Sequence, residues 1–168
     1  MMRAGFPVPP GFVIDIDAFI SHFGEVTDPL VRPNVPMLKT ELMADVVQAL
    51  VDHLGEETEL AVRSSSTEED GSRASFAGQH STYYFVTPSR IDQAIIDCWM
   101  SLWSDPALNY RRSGWTDIAT GEPVRMAVIV QQMLPATRSG VTFSRDPIDA
   151  SSRDVVIEAT WGLGAALV

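Results

Sequence analysis

From Met37 onward the apolar positions Leu38, Leu42, Val46, Leu50 and Leu54 recur every four residues, with Met43 and Val47 beside them and Gly55 after them. A repeat close to the helical period predicts an amphipathic helix with a buried stripe, and Gly55 is its stop signal. A second set, Ile91, Ala94, Ile95, Cys98, Trp99 and Leu102, falls on one face of another helix. Thr87-Pro88 supplies its start, with Thr87 as cap and Pro88 at the first helical position. Asp105-Pro106 starts a further short helix by the same logic. Near the N-terminus, residues 11–15 read as extended, and Asp15 or Asp17 can cap a brief helix that runs to Phe23 and closes at Gly24. Pro29, Pro33 and Pro36 make residues 25–36 a stiff linker.

Between these helices lie short runs rich in β-branched and aromatic residues, at 59–63, 81–86, 125–132, 139–144 and 154–160. Turn residues bound each of them, which predicts strands. There is no internal repeat and no low-complexity tract. The pattern is that of a mixed α/β protein with antiparallel pairs. With 168 residues, of which 45% are hydrophobic, the chain can bury a core as one domain or as two small lobes.

The formal net charge of −10 argues against a nucleic-acid partner, because affinity for a phosphate backbone comes from clustered Lys and Arg. The lone cysteine, Cys98, allows no internal disulfide and no cysteine-based zinc cage, and is expected to be inert core. No apolar run approaches the ~20 residues that span a bilayer. Met1-Met2-Arg3 leads into a proline-rich turn instead of a signal-peptide core, so the expected compartment is the cytoplasm.

Residues 61–79 carry the densest chemistry. An apolar stretch ends on Arg63 and passes into Ser64, Ser65, Ser66 and Thr67, then Gly71 and Gly78 among small residues. A guanidinium fork, hydroxyl donors and a glycine-permitted backbone nest are the groups that hold phosphate. The same composition also suits a solvated polar loop. His22, His53 and His80 share no metal-ligand spacing; His22 and His53 sit at helix ends, where a cation is comfortable. Glu68, Glu69 and Asp70 can be read as a magnesium site or as a solvated acidic turn. Trp99, Trp103, Trp115 and Trp161 read as packing residues.

The order of the motifs narrows the choice. Residues 63–70, Arg-Ser-Ser-Ser-Thr-Glu-Glu-Asp, followed by residues 74–79, Ala-Ser-Phe-Ala-Gly-Gln, resemble the nucleotide-binding domain shared by phosphoenolpyruvate synthase, pyruvate phosphate dikinase and the rifamycin phosphotransferases. Residues 5–14, 127–133, 139–147 and 159–164 resemble further segments of that family, in the family's order. The resemblance covers nearly the whole chain.

It implies an α+β, partial ATP-grasp-like domain of mixed sheets with flanking helices, in which ATP lies between two sheets and magnesium accompanies it. Arg63 matches an arginine that contacts the ATP phosphates, Gly78 and Thr82 match nucleotide-contacting positions of the loop and following strand, and Gln131 matches a glutamine on the pocket wall. Whether Gln131 or Gln132 faces the pocket depends on the pleat. In such enzymes the β-phosphoryl of ATP passes to a histidine on a mobile domain and then to pyruvate or another acceptor. Family members also carry a phosphate-contacting lysine upstream, and acidic magnesium ligands and a Gln-x-Arg-Pro signature downstream, which residues 1–168 do not contain. The stretch between Phe12 and Arg63 is shorter than usual, and Ala165 stands where the family commonly has glutamate. The expectation is a partial ATP-binding domain, incomplete for catalysis alone, whose partners are phosphohistidine and acceptor-binding domains. Alternatives are a noncatalytic or split-enzyme module and the ATP domain of a rifamycin phosphotransferase. An ATP-grasp carboxylate–amine ligase would share the nucleotide site but lacks the Ser-Phe-Ala-Gly-Gln signature.

Overall fold

The computed structural model describes residues 4–34, 37–66, 81–112, 124–146, 148, 149 and 151–167. Strand β1 (Gly11–Ile14) leads into helix α1 (Ile16–Phe23). Asp15 is the cap, its carboxylate accepting from the Ala18 N–H at 3.0 Å, while Asp17 lies in the first turn. Gly24 ends the helix with φ 76°, donating to the Ile20 carbonyl at 2.7 Å. Helix α2 (Thr40–His53) begins at Thr40 and not at Met37, because Lys39 is extended. Leu38 still packs against the core from outside the helix.

Strands β2 (Leu60–Ser66), β3 (Thr82–Val86) and β4 (Met126–Gln132) join β1 in one sheet of order β1-β4-β2-β3, every pair antiparallel. Helices α3 (Ile91–Met100) and α4 (Asp105–Arg112) follow β3. Thr87 does not cap through its side chain. Its hydroxyl pairs with that of Ser89 at 3.1 Å, and residues Pro88–Arg90 form a 3-10 turn before α3. Asp105 lies inside α4, and Ser104 takes the capping role by accepting from the Ala107 N–H at 3.4 Å.

Successive strand residues point to opposite faces, and the register sorts them. Leu60, Val62, Val128, Val130 and Ile14 share one face and are buried. That face packs on α1, α2 and α3 through Phe19, Val46, Leu50, Ile95 and Trp99. Trp99 and Trp103 are packing residues as expected, enclosed with Phe19 and Phe23 in an aromatic cluster whose ring centroids lie 4.8 to 6.4 Å apart. His22 tilts over Trp99 at 5.3 Å. Burial there, helped by Lys39, holds its imidazole below its usual 6.5. The expectation of a comfortable helix-end cation therefore does not suit His22, because burial and the Lys39 charge disfavour its charged form. Cys98 is core, its thiol pushed up to about 12 by burial and the neighbouring Asp97.

Strand β3 is irregular. Val62 pairs with Tyr83 and Leu60 with Val86, so Tyr84 and Phe85 together oppose Ala61 in a bulge, and Phe85 sits at φ 55°. A non-glycine residue in that region stores strain.

The chain divides into two compact units, residues 1–133 and 134–168. The second is built on β5 (Arg138–Phe143) and β6 (Val156–Trp161), paired antiparallel with Arg138 opposite Trp161. Trp161 is 77% exposed, with the Arg138 guanidinium 4.6 Å above its ring, so it does not pack as expected. Helices and antiparallel sheets together make the fold α+β. No helix among the described residues is long and apolar enough to cross a membrane.

Candidate functional site

The helices cover one face of the four-stranded sheet; the other face carries the expected site residues. Register aligns Val13, Ile129, Arg63 and Thr82 in one row across all four strands, and Gly11, Gln131 and Ala61 in the next. Residues in register share a face, so Arg63, Thr82 and Gln131 emerge together, opposite the buried valines. Arg63 and Thr82 are direct cross-strand partners, and Gln131 is the diagonal neighbour of Arg63, about 7–8 Å away by sheet geometry. Gln131 shares the Arg63 face, and Gln132, opposite Leu60, lies on the other.

Two polar side chains on this face have no partner among the described residues. The Arg63 guanidinium is exposed and makes no ion pair or hydrogen bond with any described residue, and the Thr82 hydroxyl makes none either. Gln131 uses one end of its amide, Nε2 donating to the Pro9 carbonyl at 3.3 Å. Ile129, Ala127 and Ala61 form a half-buried apolar floor between them. Donors unpaired among the described residues, set over an apolar floor, suit an anionic ligand with a flat apolar part.

The hydroxyl-rich run is divided differently from the sequence expectation. Strand β2 continues to Ser66, so Ser64 and Ser66 point to the helix side and only Ser65 joins Arg63. Ser64 spends its hydroxyl on the Ser81 carbonyl at 3.2 Å. Gly78, and with it Thr67, Glu68, Glu69, Asp70, Gly71 and His80, lies outside the described residues, as does Trp115. Among the described residues there is no group of three His, Cys, Asp or Glu side chains placed to hold a metal ion. A cavity of about 200 Å³ lies between β3 and α3, lined by Val86, Arg90, Gln93 and Asp97 among others, and none of Arg63, Thr82 and Gln131 borders it.

Residues 24–168 match the family model described as pyruvate phosphate dikinase, AMP/ATP-binding domain. The chain belongs to this family. Its relatives in the AMP/ATP-binding domain family include a phosphoenolpyruvate synthase of Aeropyrum pernix, 36% identical over 100% of this chain and 24% of the relative. A prodigiosin synthesizing transferase PigC of Serratia marcescens is 35% identical over 100% of the chain and 20% of the relative. A rifampicin phosphotransferase of Bacillus subtilis is 42% identical over 79% of the chain and 15% of the relative. The chain thus spans about a quarter or less of the length of these curated relatives.

Proposed function

We propose that this chain is the ATP-binding portion of a phosphoenolpyruvate synthase-like phosphotransferase, with the nucleotide lying over the open sheet face. One observation supports the reading most: Arg63 and Thr82 are cross-strand partners whose polar groups have no partner among the described residues, and Gln131 lies beside them on the same face. Arg63 would take phosphate oxygens in a bidentate grip, Thr82 would donate its hydroxyl, and Gly78 would let the backbone approach from the loop. As charge moves on the phosphates, these fixed donors would stabilise it without reorganising. The finer architecture this implies is ATP-grasp-like, and the compartment is the cytoplasm.

ATP would arrive with magnesium. The described residues contain no cluster fit to hold that ion. In the full reaction the β-phosphoryl of ATP would pass to a histidine on another domain and from there to pyruvate or a similar acceptor. Those domains are expected elsewhere, either along a longer polypeptide or on a partner chain, because the chain aligns with so small a share of its relatives.

Calorimetric titration with ATP and magnesium tests the reading. Arg63→Ala should weaken binding roughly 10- to 100-fold, the loss of a charge-assisted pair. Unchanged affinity would withdraw the phosphate assignment. ATP-dependent labelling of a histidine-bearing partner domain separates a catalytic portion from a module that only binds.

A further inference from the structure

Helix α2 carries two apolar rows, and the fold uses one of them. Val46 and Leu50 are buried, and Leu42, Met43 and Leu54 pack against the core beside them. On the solvent side Thr40, Ala44, Val47 and Val51 form a second row at spacings of four, three and four, all of them exposed, with Val47 at 47% and Val51 at 48%. That spacing is the narrow seam by which one helix seats against another. A helix that serves only a core has polar residues there.

The residue after each member of this outer row is polar. Glu41, Asp45, Gln48 and Asp52 are exposed in a parallel line, about 100° further round the helix. Gln48 Nε2 donates to Asp52 Oδ1 at 2.9 Å, and none of the three carboxylates forms an ion pair with a described cation. On its other shoulder the row runs on into Met43, Leu54 and the core. The surface is an apolar strip with one acidic bank.

A second copy of this chain fits that strip poorly. A two-fold contact sets a patch against its own image, so Glu41, Asp45 and Asp52 would meet the same carboxylates, and the formal net charge of −10 adds to the repulsion. A bank of the opposite sign relieves both. We propose that the outer row of α2 docks an amphipathic helix of a partner protein, one with an apolar seam and with Lys or Arg along the flank that meets Glu41, Asp45 and Asp52. The seam supplies the contact as anchors at helical spacing, and the charges choose the partner and its direction. This surface belongs to the helix layer and does not depend on the nucleotide reading.

The test is fluorescence anisotropy on the full chain with three labelled peptides of about 20 residues, long enough to hold a helix. One has a leucine seam flanked by lysine, one the same seam flanked by glutamate, and the third is a scramble of the first in which no seam forms. The lysine-flanked peptide should bind about tenfold more tightly than either of the others, the sum of three exposed pairs. Val47→Asp/Val51→Asp should bring it down to the level of the scramble. Glu41→Lys/Asp45→Lys/Asp52→Lys should reverse the preference in favour of the glutamate flank, and it carries the test should the double aspartate variant lose its fold. A lysine-flanked peptide no tighter than its scramble overturns the proposal, because the net charge of the chain would then account for all of the binding. So does a preference for lysine that survives the charge reversal, or binding that survives in a folded Val47→Asp/Val51→Asp variant. A chain that sediments as a dimer, and as a monomer once Val47→Asp/Val51→Asp is introduced, gives the strip to a second copy and overturns it as well. ATP affinity should be the same in every variant, so failure here leaves the nucleotide site standing.

Discussion

The two faces of the β1-β4-β2-β3 sheet are made by alternate residues of the same strands and have opposite character. On one, Leu60, Val62, Val128 and Val130 are fully buried under α1, α2 and α3. On the other, Val13 is 60% exposed, and Arg63, Thr82 and Gln131 stand over Ile129, Ala127 and Ala61. Among the described residues of the first unit the helices lie on one side of this sheet, so a single strand such as β4 contributes to stability with every second residue and leaves the ones between for the proposed recognition. Substitutions on the covered face should change folding, and binding only through the folded fraction. Those on the open face should do the reverse.

Trp99→Ala gives the largest expected effect. Removing a fully enclosed indole from the aromatic cluster should cost about 3–5 kcal/mol in urea denaturation. The affinity of whatever remains folded should be unchanged; an altered affinity would mean that the faces are coupled. Arg63→Ala is the mirror case. Its effect should appear in ATP affinity, while stability stays within about 0.5 kcal/mol, as for an exposed side chain without partners among the described residues. A melting temperature lowered as far as that of Trp99→Ala would break the division. Gly11→Ala sharpens it, because Gly11 lies on the open face yet supports structure. Its Cβ has no room against the Val130 carbonyl and Gln131. The expected cost is about 1–3 kcal/mol, read by the same denaturation. A neutral Gly11→Ala would show that β1 can draw back from β4, and that Gln131 is not tightly braced.

The helix layer over the covered face was legible in the sequence because its residues recur at the helical period. The sets from Leu38 to Leu54 and from Ile91 to Leu102 form α2 and α3 with the turn that follows it, apart from end residues set by backbone conformation at Lys39 and Arg90. The open face was not legible from pattern. Strand β4 reads Met-Ala-Val-Ile-Val-Gln-Gln, apolar at both alternations, so nothing local tells which glutamine joins Arg63. Pairing with Ala61 on β2 and Gly11 on β1 decides that, and those partners are distant in sequence. Arg63, Thr82 and Gln131 were named through the family resemblance, whereas their common face emerges from register. The bulge at Tyr84 and Phe85 gave no signal, since no glycine marks it. The exposure of Trp161 gave none either, because residue type alone does not report what lies above a hairpin.

The smallest expected effect belongs to His22, whose side chain lies within the helix layer. Its ring is 4.8 Å from Phe23 and 5.3 Å from Trp99, and Nδ1 is buried with no hydrogen-bond partner among the described residues. Lys39, whose ammonium donates to the Ser21 carbonyl, adds its charge nearby. Burial first and Lys39 second hold the folded imidazole below 6.5. The unfolded chain therefore takes up a proton near 6.5 that the folded chain still refuses. The stability tied to His22 is present above that pH and drains away as pH falls below it. Thermal melts from pH 7.5 to 5 should show a decline that is shallower in His22→Phe, the difference lying below 6.5. ATP affinity corrected for folded fraction should differ little between the two proteins over the same range, since His22 sits on the covered side of the sheet. Parallel melting curves would mean that the imidazole is as well hydrated in the fold as out of it. A binding profile that follows His22 would show that charge placed under the sheet is felt above it.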